Sequence, residues 1–390
     1  MAATMTTLQN ILKNFYIGPV REQLNNATVL MANLKKSSKE VVGDQVVLPL
    51  RVGRNWGLGA RGTSGDGTLP TARNQQYNRA IFTTKDVYGR IEIRGKTIRA
   101  TKTDKGAFLR SVQSETQGMV KDLASDINRQ LFGTGDGILT TVTANATSAT
   151  ITVASTQYIE EGMFLDINDD TNVQVSTVDS ATQFTLTGSI TVVATENVRI
   201  TGVGATDELN GLALVTDSTG ALHGINPATA SYWAGEEFGN DAAPVALTED
   251  DMQQVQDEVE RNGGKLKMIV TSYAGRRAYI NLLTSQKRFT SPQTGKLKGG
   301  YEYIDFNTIP LAVDRHCQEN ATATRMYFLD TDSLGLYRMA DFDWMQEDGN
   351  VLARQVGTTA TETYEATLVC DMELGCIARR HQGRLQGIAP

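Results

Sequence analysis

Between residues 43 and 103 the chain has the pattern of a long two-armed hairpin with nothing of its own to bury. The outgoing arm, Val41 to Val52, is strand-like. The return arm, Arg79 to Arg99, alternates Val87, Gly89, Ile91 and Ile93 against Tyr88, Arg90, Glu92 and Arg94. Between the arms, Gly53 to Thr68 holds six glycines in sixteen residues. A lone two-stranded hairpin is marginal in water. A long loop without regular structure is either functional or misread. Such an arm therefore makes sense if another molecule completes its surface.

Charge points the same way. Residues 43–103 contain eleven Lys/Arg and four Asp/Glu, a net of +7, while the whole chain carries −7, so the remainder sums to −14. A basic arm on an acidic body suits copies that lay arms on one another, because opposite fields orient docking. A solvated basic loop and a nucleic-acid-binding arm are the alternatives. Overall acidity and the single Trp at the tip count against the latter.

The rest of the chain has ordinary globular composition, 40% apolar and 21% charged. At 390 residues it has room for two or three domains. No apolar run reaches the length of a membrane span, and the first residues lack a secretory pattern. Three cysteines, Cys317, Cys370 and Cys376, suggest a reducing compartment without a disulfide framework.

Residues 5–37 carry a net +3 and present a rough apolar stripe after Pro19. A segment this long must dock on its own chain or on a neighbour. Asp104 to Phe132 is the clearest helix, with Asp104 as N-cap and Gly133 as its stop. Phe108, Val112, Met119, Leu123, Ile127 and Leu131 define one narrow face, which suits a spine of roughly 43 Å lying across a sheet with its other side wet. Residues 138–203 change character: fifteen threonines, no lysine, one arginine and a net of −6. Recurrent strand patterns there predict a small, solvent-facing all-β insertion, with Gly135-Asp-Gly137 and Gly202-Val-Gly204 as hinges. Residues 204–390 read as mixed α/β. Thr248-Glu-Asp-Asp251 has the form of a capping box, Met252, Val255 and Val259 form a helix stripe, and Ser272 caps a second helix. Strands are expected at Leu266–Thr271, Tyr301–Phe306, Ile309–Asp314, Arg325–Leu329, Asn350–Gln355 and Thr361–Cys370.

Catalytic chemistry finds little support. Gly57-Leu-Gly59-Ala-Arg-Gly62 matches a dinucleotide fingerprint, but the residues that follow cannot open the helix the fingerprint needs. Asp166, Asn168 and Asp170 imitate the start of a calcium loop, yet the expected glycine is Thr171 and the twelfth position is Thr177. The cysteines and histidines show no zinc spacing and read as core thiols and surface imidazoles. No catalytic, cofactor or metal residue is assigned, and an enzyme with a flexible basic lid is a remote alternative.

The order of N-terminal arm, basic hairpin, spine helix, β insertion and α/β body resembles the major capsid proteins of tailed bacteriophages, with the Hong Kong 97-type fold. The likeness spans nearly the whole chain. It rests on Gly43-Asp-Gln-Val-Val-Leu-Pro-Leu-Arg51, Asn128-Arg-Gln-Leu-Phe-Gly133, Met268-Ile-Val-Thr-Ser272, Leu297-Lys-Gly-Gly300, Ile309-Pro-Leu-Ala-Val-Asp314 and Tyr327-Phe-Leu-Asp330, taken in that order. The resemblance implies an α+β fold divided as follows: N-terminal arm 1–42, extended loop (E-loop) 43–103, spine helix of a peripheral domain 104–137, inserted β domain 138–203, mainly axial domain 204–342 and return strands 343–390. It implies a homo-oligomer of hexamers and pentamers in an icosahedral virion capsid, enclosing double-stranded DNA through non-specific contacts. Assembly would take place in the cytoplasm of a bacterial host. Arg54, Trp56, Leu58, Arg61, Arg73, Arg90 and Arg94 become the expected inter-subunit contacts, with acidic partners for Arg54 and Arg61. The loop begins by residue 43, so a separate scaffolding protein is expected, together with a portal and a possible cement or decoration protein. The tip lacks the lysine that some members crosslink through, so its contacts should be noncovalent. An encapsulin-like nanocompartment shell protein is the nearest alternative.

Overall fold

The computed structural model describes residues 28–38, 40–60, 69–95, 105–285, 294–296, 302–346, 353–354 and 363–390. The expected helix after Pro19, the Asp104 cap, Leu297 to Gly300 and most of the Asn350–Gln355 strand lie outside them.

The helix Lys105–Gln130 runs across a five-stranded sheet. In that sheet Thr363–Cys376 pairs antiparallel with Lys85–Arg94 on one side and Leu334–Trp344 on the other. The alternation read in the return arm is realised: Val87, Gly89 and Ile91 are buried, and Tyr88, Arg90, Glu92 and Arg94 are exposed. Gly89 has a packing reason, since a Cβ there would lie 2.7 Å from Met119 Sδ of the helix. Leu123, Ile127 and Leu131 continue the contact face into the main core. The far side is wet only in part, because Asn128, Arg129, Gln130 and Phe132 are buried as well.

A seven-stranded mixed sheet forms the second layer, with Met268–Thr271 at its centre between Ile309–Val313 and Thr324–Leu329. The helix Glu249–Arg261 packs on it through Met252, Val255 and Val259. Its capping box is formed as read: Thr248 Oγ1 accepts from Asp251 N, and Asp251 Oδ2 accepts from Thr248 N. Ser272 Oγ accepts from Gly275 N at the start of the helix Tyr273–Ser285.

Residues 138–200 form a six-stranded sheet of their own around Leu139, Ile151, Leu165, Val175, Phe184 and Val198. Val142 bridges Val153, and Thr143 N and Ala154 N bond Thr152 O and Thr141 O. The first strand thereby meets the last, and the sheet closes on itself. The glycines expected as hinges make left-handed turns instead (Gly135 φ 83°, Gly137 φ 70°, Gly202 φ 83°). Asp166, from the false calcium loop, accepts from Asn172 N, Thr201 Oγ1 and Gly202 N, which holds its carboxyl below the ordinary range despite partial burial.

The hairpin arms pair with each other only from Gln45–Gly53 to Gln76–Thr83. Here the sequence expectation needs correcting: the root of the arm does bury a face. Val46, Leu48, Leu50, Ala80 and Phe82 pack on Ile225, Trp233 and Tyr337. The expectation missed this because the covering residues lie far along the chain.

That cover hangs on one buried side chain. Arg379 is fully buried and donates to five carbonyls: Leu214, Val215, Asp217, Gly220 and Trp233. Removing it strands buried acceptors. Arg379→Met should therefore cost about 3–5 kcal/mol by urea unfolding. Hydrogen exchange should show residues 212–235 opening before the long helix, and a loss below about 1 kcal/mol would contradict this organising role.

Candidate assembly surface

Beyond Gly53 and Gln76 the two arms run on as apposed segments. A Cβ on Gly57 would lie 3.1 Å from Arg73 N, and one on Gly59 would lie 2.8 Å from Pro70. The Asn55 carboxamide accepts from Gly57 N at 2.8 Å and sets the local turn. This stretch exposes Trp56 (70%), Leu58 (80%) and Leu69 (85%). Arg51, Arg54, Arg73 and Arg79 are exposed along the same arm. Apolar side chains and arginines thus share a surface that the described part of the chain leaves uncovered, the composition of an interface rather than of a solvated loop.

The structure brings Arg54, Trp56, Leu58 and Arg73 onto this arm. Arg61 lies outside the described residues. Arg90 and Arg94 sit apart, on the strand Lys85–Arg94 of the five-stranded sheet, and Arg90 pairs with Glu365 across the strands. The exposed edge of Gln45–Gly53 has a further feature. Thr84 N bonds Asp44 O, and Ile81 N turns away to His223 O. The parity of the ladder therefore puts the nitrogen of Pro49, opposite Arg79, on the outer edge, where it removes a donor.

Two polar clusters fix the body beneath the arm. Asp314, fully buried, accepts from Leu30 N, from Asn128 Nδ2 and from His316 N. Asn128 Oδ1 accepts from Met31 N at 3.1 Å. The segment Val29–Asn33 is thereby held to the long helix of its own chain. His316 is buried in this cluster, and His223 is buried against Phe82, so the expectation of surface imidazoles fails for both. The three cysteines are buried.

The second cluster clamps the closed sheet. Gln157 Nε2 donates to Arg315 O and Cys317 O, Tyr158 Oη donates to His316 O, and Arg315 pairs with Glu160. On the exit side Arg129 pairs with Glu208, Gln130 Oε1 accepts from Leu209 N, and Glu373 Oε1 accepts from Asn210 N. Between this sheet and the long helix lies a cleft of about 320 Å³, lined by Asp122, Asp126, Glu160 and Arg315 among others.

The sequence matches no protein-family model and no curated protein. Solved structures do match along the whole chain. The capsid asymmetric unit of cyanophage A-1(L) is 14% identical, covers 100% of both chains and gives a TM-score of 0.62. The capsid of a native GTA particle is 10% identical, covers 98% of this chain and 96% of that one, and gives 0.53. The holo-SrpI encapsulin complex from Synechococcus elongatus PCC 7942 is 10% identical, covers 100% and 97%, and gives 0.52. The chain therefore has the fold of phage capsid proteins, shared with an encapsulin.

Glu373 gives the clamp a pH dependence. Burial pushes its pKa up from 4.5 to about 8, partly offset by the Leu374 N–H, Lys85 and the Asn210 N–H. The folded chain keeps this proton where the unfolded chain has released it. The associated stability is full below about pH 4.5 and is lost as pH rises to about 8. Urea unfolding of Glu373→Gln should show a flatter profile between these limits. At pH 9 the variant should be more stable than the parent by on the order of a few kcal/mol. Parallel profiles for the two proteins would contradict it.

Proposed function

We propose that this chain is a major capsid protein that self-assembles into hexamers and pentamers of an icosahedral phage head enclosing double-stranded DNA. The observation that carries the reading is an arm with an uncovered apolar and arginine-rich surface, set on a fold that matches capsid chains end to end. In this reading residues 43–103 are the E-loop, Lys105–Gln130 is the spine, and the closed sheet of residues 138–200 is an inserted domain. Residues 204–342 supply most of the axial domain. The protein's role is structural rather than enzymatic.

The arm lies over the spine helix and sheet of a neighbouring copy. Trp56, Leu58 and Leu69 contribute buried area there, and Arg54, Arg61 and Arg73 meet acidic groups. Glu115 and Asp122, exposed on the long helix, are of the required charge. Arg90 and Arg94, on a sheet of the body, take part as receiving surface. Contacts at the tip are noncovalent, since Gly53 to Thr68 contains no lysine. A separate scaffolding protein, a portal and a possible decoration protein complete the particle, which forms in the host cytoplasm.

The full-length match to an encapsulin favours a second reading, a nanocompartment around protein cargo. The contents of purified particles separate the two: DNA after infection or packaging, enzyme cargo otherwise.

Arg54→Glu with Arg73→Glu should leave folding stability within about 0.5 kcal/mol, as for exposed positions generally. It should abolish closed shells in negative-stain images and light scattering. Normal particles from the double variant would overturn this use of the arm.

A further inference from the structure

A polar cleft of about 420 Å³ lies at the root of the arm, between the strand Gln76–Thr83 and the turn Leu222–Ile225. Leu222 and Ile225 exchange both backbone hydrogen bonds across His223 (φ 53°) and Gly224 (φ 76°). Two successive left-handed residues make a type I′ turn, a place that favours Asn, Asp or Gly at its first central position. The presence of an imidazole there calls for a reason.

Its hydrogen bonding supplies one. Cys376 N donates to His223 Nε2 at 3.2 Å. A ring nitrogen that accepts carries no hydrogen, so the proton of the neutral ring is on Nδ1. Burial, reinforced by the Arg379 guanidinium, pulls the pKa down to about 3 and keeps the ring neutral. Nδ1 is buried and has no hydrogen-bond partner. A buried donor left unpaired is costly, so it marks a place for an acceptor. Tyr232 Oη, also in the lining, accepts from Asn78 Nδ2 at 2.6 Å and keeps its own hydrogen to donate. Arg79 lines the same cleft and has no ion-pair partner among the described residues. No carboxylate lines it.

We propose that this cleft binds a carboxylate, with the His223 Nδ1–H and the Tyr232 O–H as neutral donors and Arg79 as the charged one. Resting on the shell reading, the carboxylate is an aspartate or glutamate of a neighbouring copy, whose chain outside residues 43–103 carries the net −14. The arm would then be gripped at its root as well as along its length.

The test is an acetate titration of the unassembled chain labelled with ¹⁵N-histidine, at constant ionic strength held with chloride. The His223 Nδ1–H signal should move saturably. Arg79→Ala should weaken binding by about tenfold, the value of one charge-assisted hydrogen bond. His223→Asn, which suits the turn, should keep the fold but lose the acetate response of the remaining reporters, Tyr232 among them. Absence of a saturable response in the parent means a water-filled cleft and overturns the proposal. This arm of the test does not depend on shell formation. In assembled shells, a neighbour's carboxylate should block acetate. Uptake there equal to that of the free chain would overturn the neighbour as the source while leaving the site.

Discussion

A single guanidinium holds together the part of the molecule from which the arm projects. Arg379 has no carboxylate partner among its hydrogen bonds; its donors end on the backbone of residues 214–233. Those carbonyls have few alternatives in a buried loop, and the arginine has no other compensation for leaving water. The loop so fixed carries Ile225 and Trp233, and Trp233 Nε1 bonds back to Leu222 O at 3.0 Å. The inner face of the hairpin rests on these two residues and on Tyr337. The direction of a surface arm is therefore set from the interior. Any conformational difference between copies of the chain would be expected to arise beyond Gly53 and Gln76, where that support ends.

A similar logic governs the other polar interior groups. Asp314 and Asn128 join an N-terminal segment, the long helix and a loop after a central strand. Gln157 and Tyr158 do the same for the closed sheet and that loop. Each cluster connects elements that are remote in sequence, and each spends its hydrogen bonds on backbone groups that helices and strands leave over. Apolar packing gives the layers their mass, while these bonds fix how the layers are joined.

What could be read from the sequence follows from this division. The long helix, the capping box at Thr248 and the threonine-rich strands depend on local periodicity or local chemistry, and the residues display both. The root of the hairpin was opaque because Ile225, Trp233 and Tyr337 approach only in three dimensions. Leu334–Trp344 was missed as a strand because its first residues, Leu334 to Tyr337, are buried on both faces and so do not alternate. Later in the strand the pairing shifts register. Arg379 and the buried histidines were hidden by a sound prior, since charged and imidazole side chains are usually wet. A signal for His223 was present: His-Gly between apolar residues is a variant of the Asn-Gly turn pattern. Of the arm residues, Arg54, Trp56, Leu58 and Arg73 were legible as a group because they are close in the hairpin, whereas Arg90 and Arg94 belong to a strand that leaves it.

The closed sheet of residues 138–200 has a consequence for crowding. In a shell, hundreds of identical copies are held at a local concentration that no solution reaches. Open edges of a β-rich module would find each other and cross-pair between copies. Joining Val142 to Val153 leaves neither terminal strand of the sheet wholly open, and the remaining surface is dominated by threonine and acid. Such a module can be displayed densely without acting as glue, which frees its outer loops to vary without endangering the lattice beneath.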